Sequence, residues 1–539
     1  MPNPLRTCLE VVVSIAEEAP LIFSSVAEGK SRAKGKSKSE GKTKAAGKDT
    51  RKLKDKGAKF NPLEAHAIPR SATRNAKTGE ETVLVSKGLL PNGYFRPLKD
   101  VYPGKKERIP KLAHGLDAVV QKEGVHWLKN PETQQYNFPE YLEHIPKVED
   151  FAFDRLPGFV PSSQDKGMLK FAKRSQSRFA GSTSSLTGIL TQIYLLLSEE
   201  RYVNISNLST DFESAPRFFT PGQRIPTSVI LHYNNGVYLT DYDDERDEST
   251  EEIILLPMGI LLEKFFTLPK ETFDKFRKEY TGNDYPSLHD THRYAQHEKF
   301  LMRAQLDCRD DRLPGTGVFD IKTRAISEIR HDVYNYTNYT DCKIDSLTGR
   351  SGSFEREYYD MIRSAFLEYS FQARIGNMDG IFVAYHNVAQ IFGFQYISLR
   401  EMDLRLFGRE GAGQRVFLRC VALMELLYRE IAKCFPRKSV KATFEKRQGV
   451  VRAWVEPLVN PDPDADAPVA ELQLSLKNIV HGREERGHNA VFSSLPWSVQ
   501  WSIERSMESQ EKIRRNRDRA YARQMAIASS LSATHNESG

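Results

Sequence analysis

The spacing of apolar residues changes character several times along this chain. Apolar positions recur at helical intervals over 165–178, 186–197, 256–266, 355–374 and 413–434, which predicts helices there. Short alternating or continuous apolar runs over 228–232, 236–241, 301–308, 318–325, 380–385 and 391–397 predict strands. A short helix and then a strand are expected over 114–127, and two more strands over 450–459 and 469–480, around the turn PDPDADAP. Helices and strands mix without a strict repeat, so the expected class is α/β or α+β. The stretch 503–524 reads as a charged helix with a thin apolar face, expected to be exposed or to serve as a partner-binding arm. The expected organisation is a disordered basic tail (1–60), an irregular region rich in Pro, Gly and aromatic residues packed on the core (61–160), and the core itself (161–435). A strand-rich extension (436–502) and a charged helix and tail (503–539) follow.

The pattern is most informative in QLDCRDDRLPGTGVFDIKTRA, 305–325. Two alternating runs flank DDRLPGTG, whose proline and glycines signal a chain reversal. Alternation gives each run a mostly apolar side and a mostly polar side. Arg303, Gln305 and Asp307 share one side of the first run, and Asp320, Lys322 and Arg324 share one side of the second. A reversal centred between Leu313 and Pro314 sets Asp307 directly opposite Asp320. Carboxylates about 4 Å apart repel by about 4 kcal/mol at an effective dielectric near 20. A divalent cation removes that repulsion, and Mg²⁺ commonly takes one or two carboxylates together with water and phosphate oxygens. Asp307 and Asp320 are therefore the candidate metal ligands, for Mg²⁺ or alternatively Mn²⁺. Lys322 is the candidate group for placing water and offsetting charge at a phosphodiester. Arg303 and Arg324 are the candidate phosphate contacts, and Tyr334, Tyr336 and Tyr339 are read as ordinary strand tyrosines in preference to a base-stacking set.

Charge refines this picture. Residues 26–60 hold thirteen Lys or Arg and four Asp or Glu, a net of +9 against +7 for the whole chain, which leaves −2 for the rest. The body is nearly neutral, so any nucleic-acid surface on it must come from local placement of cations. The near-match to a phosphate-binding loop at GKSKSEGKT lacks a preceding strand and is rejected. The acidic run at 241–249 reads as a solvated turn. Five widely separated cysteines offer neither a zinc motif nor a disulfide framework. No apolar run approaches the roughly 20 residues of a membrane span, which leaves only peripheral membrane association open. The first residues carry Glu17 and Glu18, whereas a mitochondrial presequence is expected to be Arg-rich and poor in acids.

Asp307 with Asp320-Ile321-Lys322 resembles the PD-(D/E)XK nuclease superfamily, in particular its RecB-type branch. That resemblance implies a restriction-endonuclease-like core and an acid on an earlier helix, for which Glu263 in MGILLEKFF is the best match. RecB-type enzymes also carry a Gln-x-x-x-Tyr helix. That spacing is absent here, and Arg363, Tyr369 and Gln372 on the helix after the hairpin are the nearest counterparts for holding substrate, beside Gln305. Longer blocks at 112–128, 180–198, 305–325 and 354–387 resemble the fungal petite-class mitochondrial RNA-processing family. That resemblance implies a mitochondrial, Mg²⁺-dependent 5′→3′ exoribonuclease acting on single-stranded RNA 5′ ends. It also implies a mitochondrial RNA polymerase or RNA-degradation machinery as possible partners. A catalytically inactive RNA-binding scaffold with the same fold is the alternative, and a DNA nuclease is a third reading, since RNA is indicated by the resemblance alone.

Overall fold

The computed structural model describes residues 72–101, 108–243, 253–460 and 466–530, with side chains to 526. The expected basic tail, most of the acidic run at 241–249 and part of the PDPDADAP turn lie outside these residues. In chain order the helices that matter are α1 (Lys166–Arg174), α2 (Thr183–Leu197), α3 (Leu255–Thr267), α4 (Phe354–Ser364), α5 (Phe366–Gly376), α6 (Ala412–Cys434) and α7 (Gln510–Ser530). The strands of the N-terminal half are β1 (Glu81–Leu90), β2 (Val125–Trp127), β3 (Phe179–Ser182), β4 (Thr227–Asn234) and β5 (Val237–Tyr242). They are followed by β6 (His292–His297), β7 (Phe300–Gln305), β8 (Cys308–Arg309), β9 (Val318–Ala325), β10 (Gly380–His386) and β11 (Ile391–Ser398). The last four are β12 (Val440–Arg447), β13 (Val450–Pro457), β14 (Ala470–Val480) and β15 (Trp497–Ser506).

Two sheets organise the described residues, giving the mixed α/β class expected. The larger runs β1-β15-β14-β13-β12-β4-β5-β3-β7-β6, with two-residue strands at its edges. The smaller runs β8-β9-β10-β11-β2. An early and a late segment, β1 and β15, thus pair with each other in the larger sheet and are continuous through it with the central strands. Within the smaller sheet β9 and β10 are parallel, while the other pairs are antiparallel.

The hairpin departs from expectation in one respect that makes the site. The run 301–308 is not one strand. It ends at Gln305 in the larger sheet and resumes at Cys308 in the smaller one, so Leu306 and Asp307 form the joint between sheets. Beyond the joint, Cys308 pairs with Phe319 and Arg309 with Val318, the register that sets Asp307 opposite Asp320. The turn is fastened by Asp379, whose carboxylate accepts from the amides of Thr316 (3.0 Å) and Gly317 (2.7 Å). Gly317 adopts φ +78°, and a Cβ there would meet the carbonyl oxygen of Asp310 at 2.7 Å, so this position admits only glycine.

Helix α3 buries Met258, Leu261, Leu262, Phe265 and Phe266 against Phe319, Ile321, Phe382 and Phe394 of the smaller sheet. That spacing is one apolar stripe of a helix, and it turns Gly259 and Glu263 the other way. The helix expected over 355–374 is two helices, broken at Ala365 (φ −126°). The expected C-terminal arm is also different. Residues 503–506 belong to strand β15, and α7 packs on the larger sheet through Ile513 and Ala520 against Trp454. Its arginines make up for the thin apolar stripe, Arg517 pairing with Glu456 and Arg523 with Glu445.

Candidate active site

Where β3 and β7 end and β9 passes, a cleft of about 280 Å³ opens between the sheets. Glu263, Arg303, Gln305, Asp307, Asp320, Lys322, Tyr369 and Gln372 all line it. Asp307, Asp320 and Lys322 are only 7–9 % exposed, so the polar face of the hairpin is an interior wall and not a solvated edge.

The two aspartates are hydrogen-bonded to each other. Burial, the neighbouring Asp320 charge and that shared hydrogen bond push the Asp307 carboxyl well above its ordinary range. Burial also works against the Asp320 charge, but Lys322 and the hydrogen bond from Asp307 hold that carboxyl below its ordinary value. The two carboxyls are thus driven apart, Asp307 toward its protonated form and Asp320 toward its charged form. Lys322 Nζ lies 2.9 Å from Asp320 and 4.8 Å over the ring of Tyr369, while Asp307 accepts the amide of Ile321 at 3.1 Å.

A second set of charges stands across the cleft. Lys264 Nζ is 2.7 Å from Glu263 and 3.9 Å from Asp290. Burial opposes the ammonium, but these two acids outweigh it and hold the lysine above its ordinary pKa. Burial raises the Asp290 carboxyl, and burial together with the Arg303 charge pushes His292 down to about 4. Arg303 is itself anchored, pairing with Asp165 at 2.5 Å and donating to the carbonyl of Val160 at 2.7 Å. Ser182, Thr183 and Ser184, at the first turn of α2, complete the lining; a helix start of this length favours an anion in front of it.

Two expected contacts lie outside the cleft. Arg324 shares the polar side of β9 with Lys322, but one pleat further on it is covered by α4 and pairs with Glu357 at 3.3 Å. Glu357 also binds Arg330 at 2.6 Å, which in turn reaches Asp360 at 2.9 Å, so Arg324 belongs to a buried ion network. Arg363, before the break at Ala365, donates to the carbonyl of Phe218 at 3.0 Å and sits over Tyr359. The tyrosines of 333–340 are not on a strand. Val333–Tyr339 is a tight helical turn, and Tyr339 donates to Asp332. Lys264, Asp290 and His292 were not singled out in the sequence. Only the adjacency of Lys264 to Glu263 carried a signal, and the other two arrive through a loop and through the pairing of His292 with Gln305.

No group of three or more His, Cys, Asp or Glu side chains arranged to hold a metal occurs among the described residues. The donor set still suits one hard divalent cation. It offers two adjacent, hydrogen-bonded carboxyl groups on the wall of a cleft with room for water, and Mg²⁺ requires no more protein ligands than that.

An acid-bearing helix, a hairpin carrying Asp and Asp-Ile-Lys, a helical crossover and a strand parallel to the second hairpin strand follow one another in the arrangement that the resemblance to the PD-(D/E)XK superfamily implies. The sequence model of the family described as "Mitochondrial protein Pet127" matches residues 159–428. This chain belongs to that family, which bears out the family expected and its mitochondrial setting. The "mRNA degradation protein pet127, mitochondrial" of Schizosaccharomyces pombe is 39% identical over 349 residues, covering 64% of this chain and 67% of that protein. The "Putative mitochondrial translation system component PET127" of Saccharomyces cerevisiae is 39% identical over 318 residues. That alignment takes in 55% of this chain but only 38% of the relative. Among solved structures, Rai1 of Scheffersomyces stipitis aligns with a TM-score of 0.32 at 12% identity, over 67% of this chain and 93% of that one. Its complex with (3′-NADP)+ and calcium ion gives 0.31 at 11% identity, over 66% and 93%. No helix among the described residues is long and apolar enough to cross a membrane.

Proposed function

We propose that this protein is a Mg²⁺-dependent ribonuclease of mitochondrial RNA metabolism, acting on single-stranded RNA from the 5′ end. The observation that carries the reading is the convergence of Asp307, Asp320 and Lys322 in one cleft with Glu263 opposite. The relative named for mRNA degradation supports RNA as the substrate class, and the 5′→3′ direction follows the family resemblance. Asp307 and Asp320 would hold the ion, with Glu263 facing them across the cleft; when bound, Mg²⁺ supplies a Lewis acid for the phosphate oxygens and lowers the pKa of water.

The protein's own groups do the rest. Lys322, confined between Asp320 and the Tyr369 ring, positions water at the phosphorus and offsets charge that builds on the phosphate. Attack by that water breaks the P–O3′ bond and leaves a 5′-phosphate on the remaining chain. Arg303 and the first turn of α2 face the non-bridging oxygens, and Gln305 and Gln372 offer amides to sugar and base edges.

The test is turnover by the purified chain with Mg²⁺ on RNA and DNA labelled at either end, with Asp320→Ala and Lys322→Ala in parallel. Wild type shortens RNA from the 5′ end, and both variants bind RNA without cutting it. Equal activity in the variants removes the site; binding by wild type with no cleavage favours the inactive scaffold; equal cleavage of DNA removes the restriction to RNA.

A further inference from the structure

The parallel strands β3 and β7 have two ends. Their carboxyl ends, at Ser182 and Gln305, open on the cleft. Their amino ends open on a second concavity of about 630 Å³ at the opposite end of these strands. Lys173, Arg178, Lys299 and Arg429 line it, beside the β4–β5 turn at Asn235 and Gly236, and no acid is among the lining residues. Lys173, Arg178 and Lys299 are exposed and form no ion pair with a described acid. Arg429 pairs with Glu425, whose carboxylate is shared with buried His297. Glu298, next to Lys299, is exposed but does not line the concavity. On a body whose charge outside the tail is near −2, this is a local concentration of cations.

Helix α1 joins the two concavities. Its N-cap Asp165 pairs with Arg303 of the cleft, and Lys173 near its last turn lines the basic pocket. Lys166, Lys170, Lys173 and Arg174 are exposed, and their spacing puts them along one side of the helix. Nine residues span about 13 Å, so the stripe leads from the cleft rim to the pocket. Complementing the helix dipole accounts for Lys173 and Arg174. It does not account for Lys170, Arg178 or Lys299.

We propose that this stripe and pocket bind the phosphodiester backbone of a single-stranded RNA whose end occupies the cleft. The inference rests on the reading of the cleft as an RNA site and adds where the rest of the strand goes. A linear polyanion fits a linear series of cations that begins at the proposed site of cleavage. The chain's own tail is not the occupant, because it is itself strongly basic.

The test uses the full chain with Lys170→Gln, Lys173→Gln, Arg178→Gln and Lys299→Gln combined, after confirming an unchanged melting temperature. Anisotropy would follow 5′-phosphorylated single-stranded RNAs of about 5 and about 30 nucleotides without metal over a range of salt; cleavage would be followed with Mg²⁺. Wild type prefers the long RNA. The variant binds the long RNA roughly tenfold more weakly, with a salt slope shallower by about 0.7 per lost phosphate contact. It binds and cuts the short RNA as wild type does. Unchanged affinity of the variant for the long RNA, or no length preference in wild type, overturns the proposal. Loss of binding to phosphatidylglycerol vesicles with long-RNA affinity intact overturns it in favour of a lipid surface. Asp320→Ala separates the two readings: if it still cuts, the cleft assignment fails, whereas length-dependent binding still decides the pocket.

Discussion

Asp320 and Lys322, two residues apart on one strand, meet at 2.9 Å inside a cleft that neither side chain leaves. The ammonium is held from below by the ring of Tyr369, so its position does not depend on bound substrate. A preplaced cation of this kind acts on the transition state more than on the ground state.

Replacing Lys322 with Met is therefore expected to lower the single-turnover cleavage rate by about 10²- to 10⁴-fold while RNA affinity changes by no more than about threefold. Tyr369→Phe keeps the ring and most of the rate. Tyr369→Leu removes the cation–π contact and costs roughly tenfold. Comparable losses in affinity and rate for Lys322→Met would assign the lysine to binding alone.

Asp307 contributes to stability with a definite sign. Its folded-state pKa is raised, so its contribution is favourable at acidic pH and is lost as pH rises through the folded value. At neutral pH without metal, Asp307→Asn should melt at or above the wild-type temperature. Mg²⁺ should stabilise wild type and leave the variant unmoved. Scanning fluorimetry with and without Mg²⁺ checks both halves; a variant that still gains stability from Mg²⁺ would dismiss Asp307 as a ligand.

Burial pushes His386 down to about 4, and His292 is lowered as far by burial and Arg303. Above pH 6.5 both are neutral whether folded or not, and neither changes stability. Below it the unfolded chain takes up protons that the folded chain refuses, so stability falls between about pH 6.5 and 4, by up to about 3 kcal/mol per histidine. Urea midpoints for His386→Asn should fall less steeply than wild type over that window. Parallel curves would mean that His386 is protonated in the folded state.

Glu357 neutralises two buried guanidinium groups, Arg324 and Arg330. Glu357→Gln leaves them without that charge and is expected to cost about 3–5 kcal/mol of stability. Arg324→Met combined with Glu357→Gln should recover part of this loss, measured by chemical denaturation. An Arg324→Met variant that loses RNA affinity yet stays stable would return Arg324 to the substrate.

The amino-acid sequence alone determined the local parts of this protein. Alternation and the Pro-Gly reversal specify which residues of the hairpin face together, and the register that opposes Asp307 to Asp320 follows from the length of the turn. The apolar stripe of α3 likewise turns Glu263 away from the core. Tertiary structure decided what those faces meet. Period-two alternation says which side a residue is on but not which sheet it joins, so the break at Leu306–Asp307 was invisible in the sequence. It says nothing of what covers a face, so Lys322 reached a cleft and Arg324 a buried ion network from the same side of one strand. Lys264, Asp290 and His292 entered the site because long-range packing of α3 and β6 put them there, and such contacts leave no mark in local spacing.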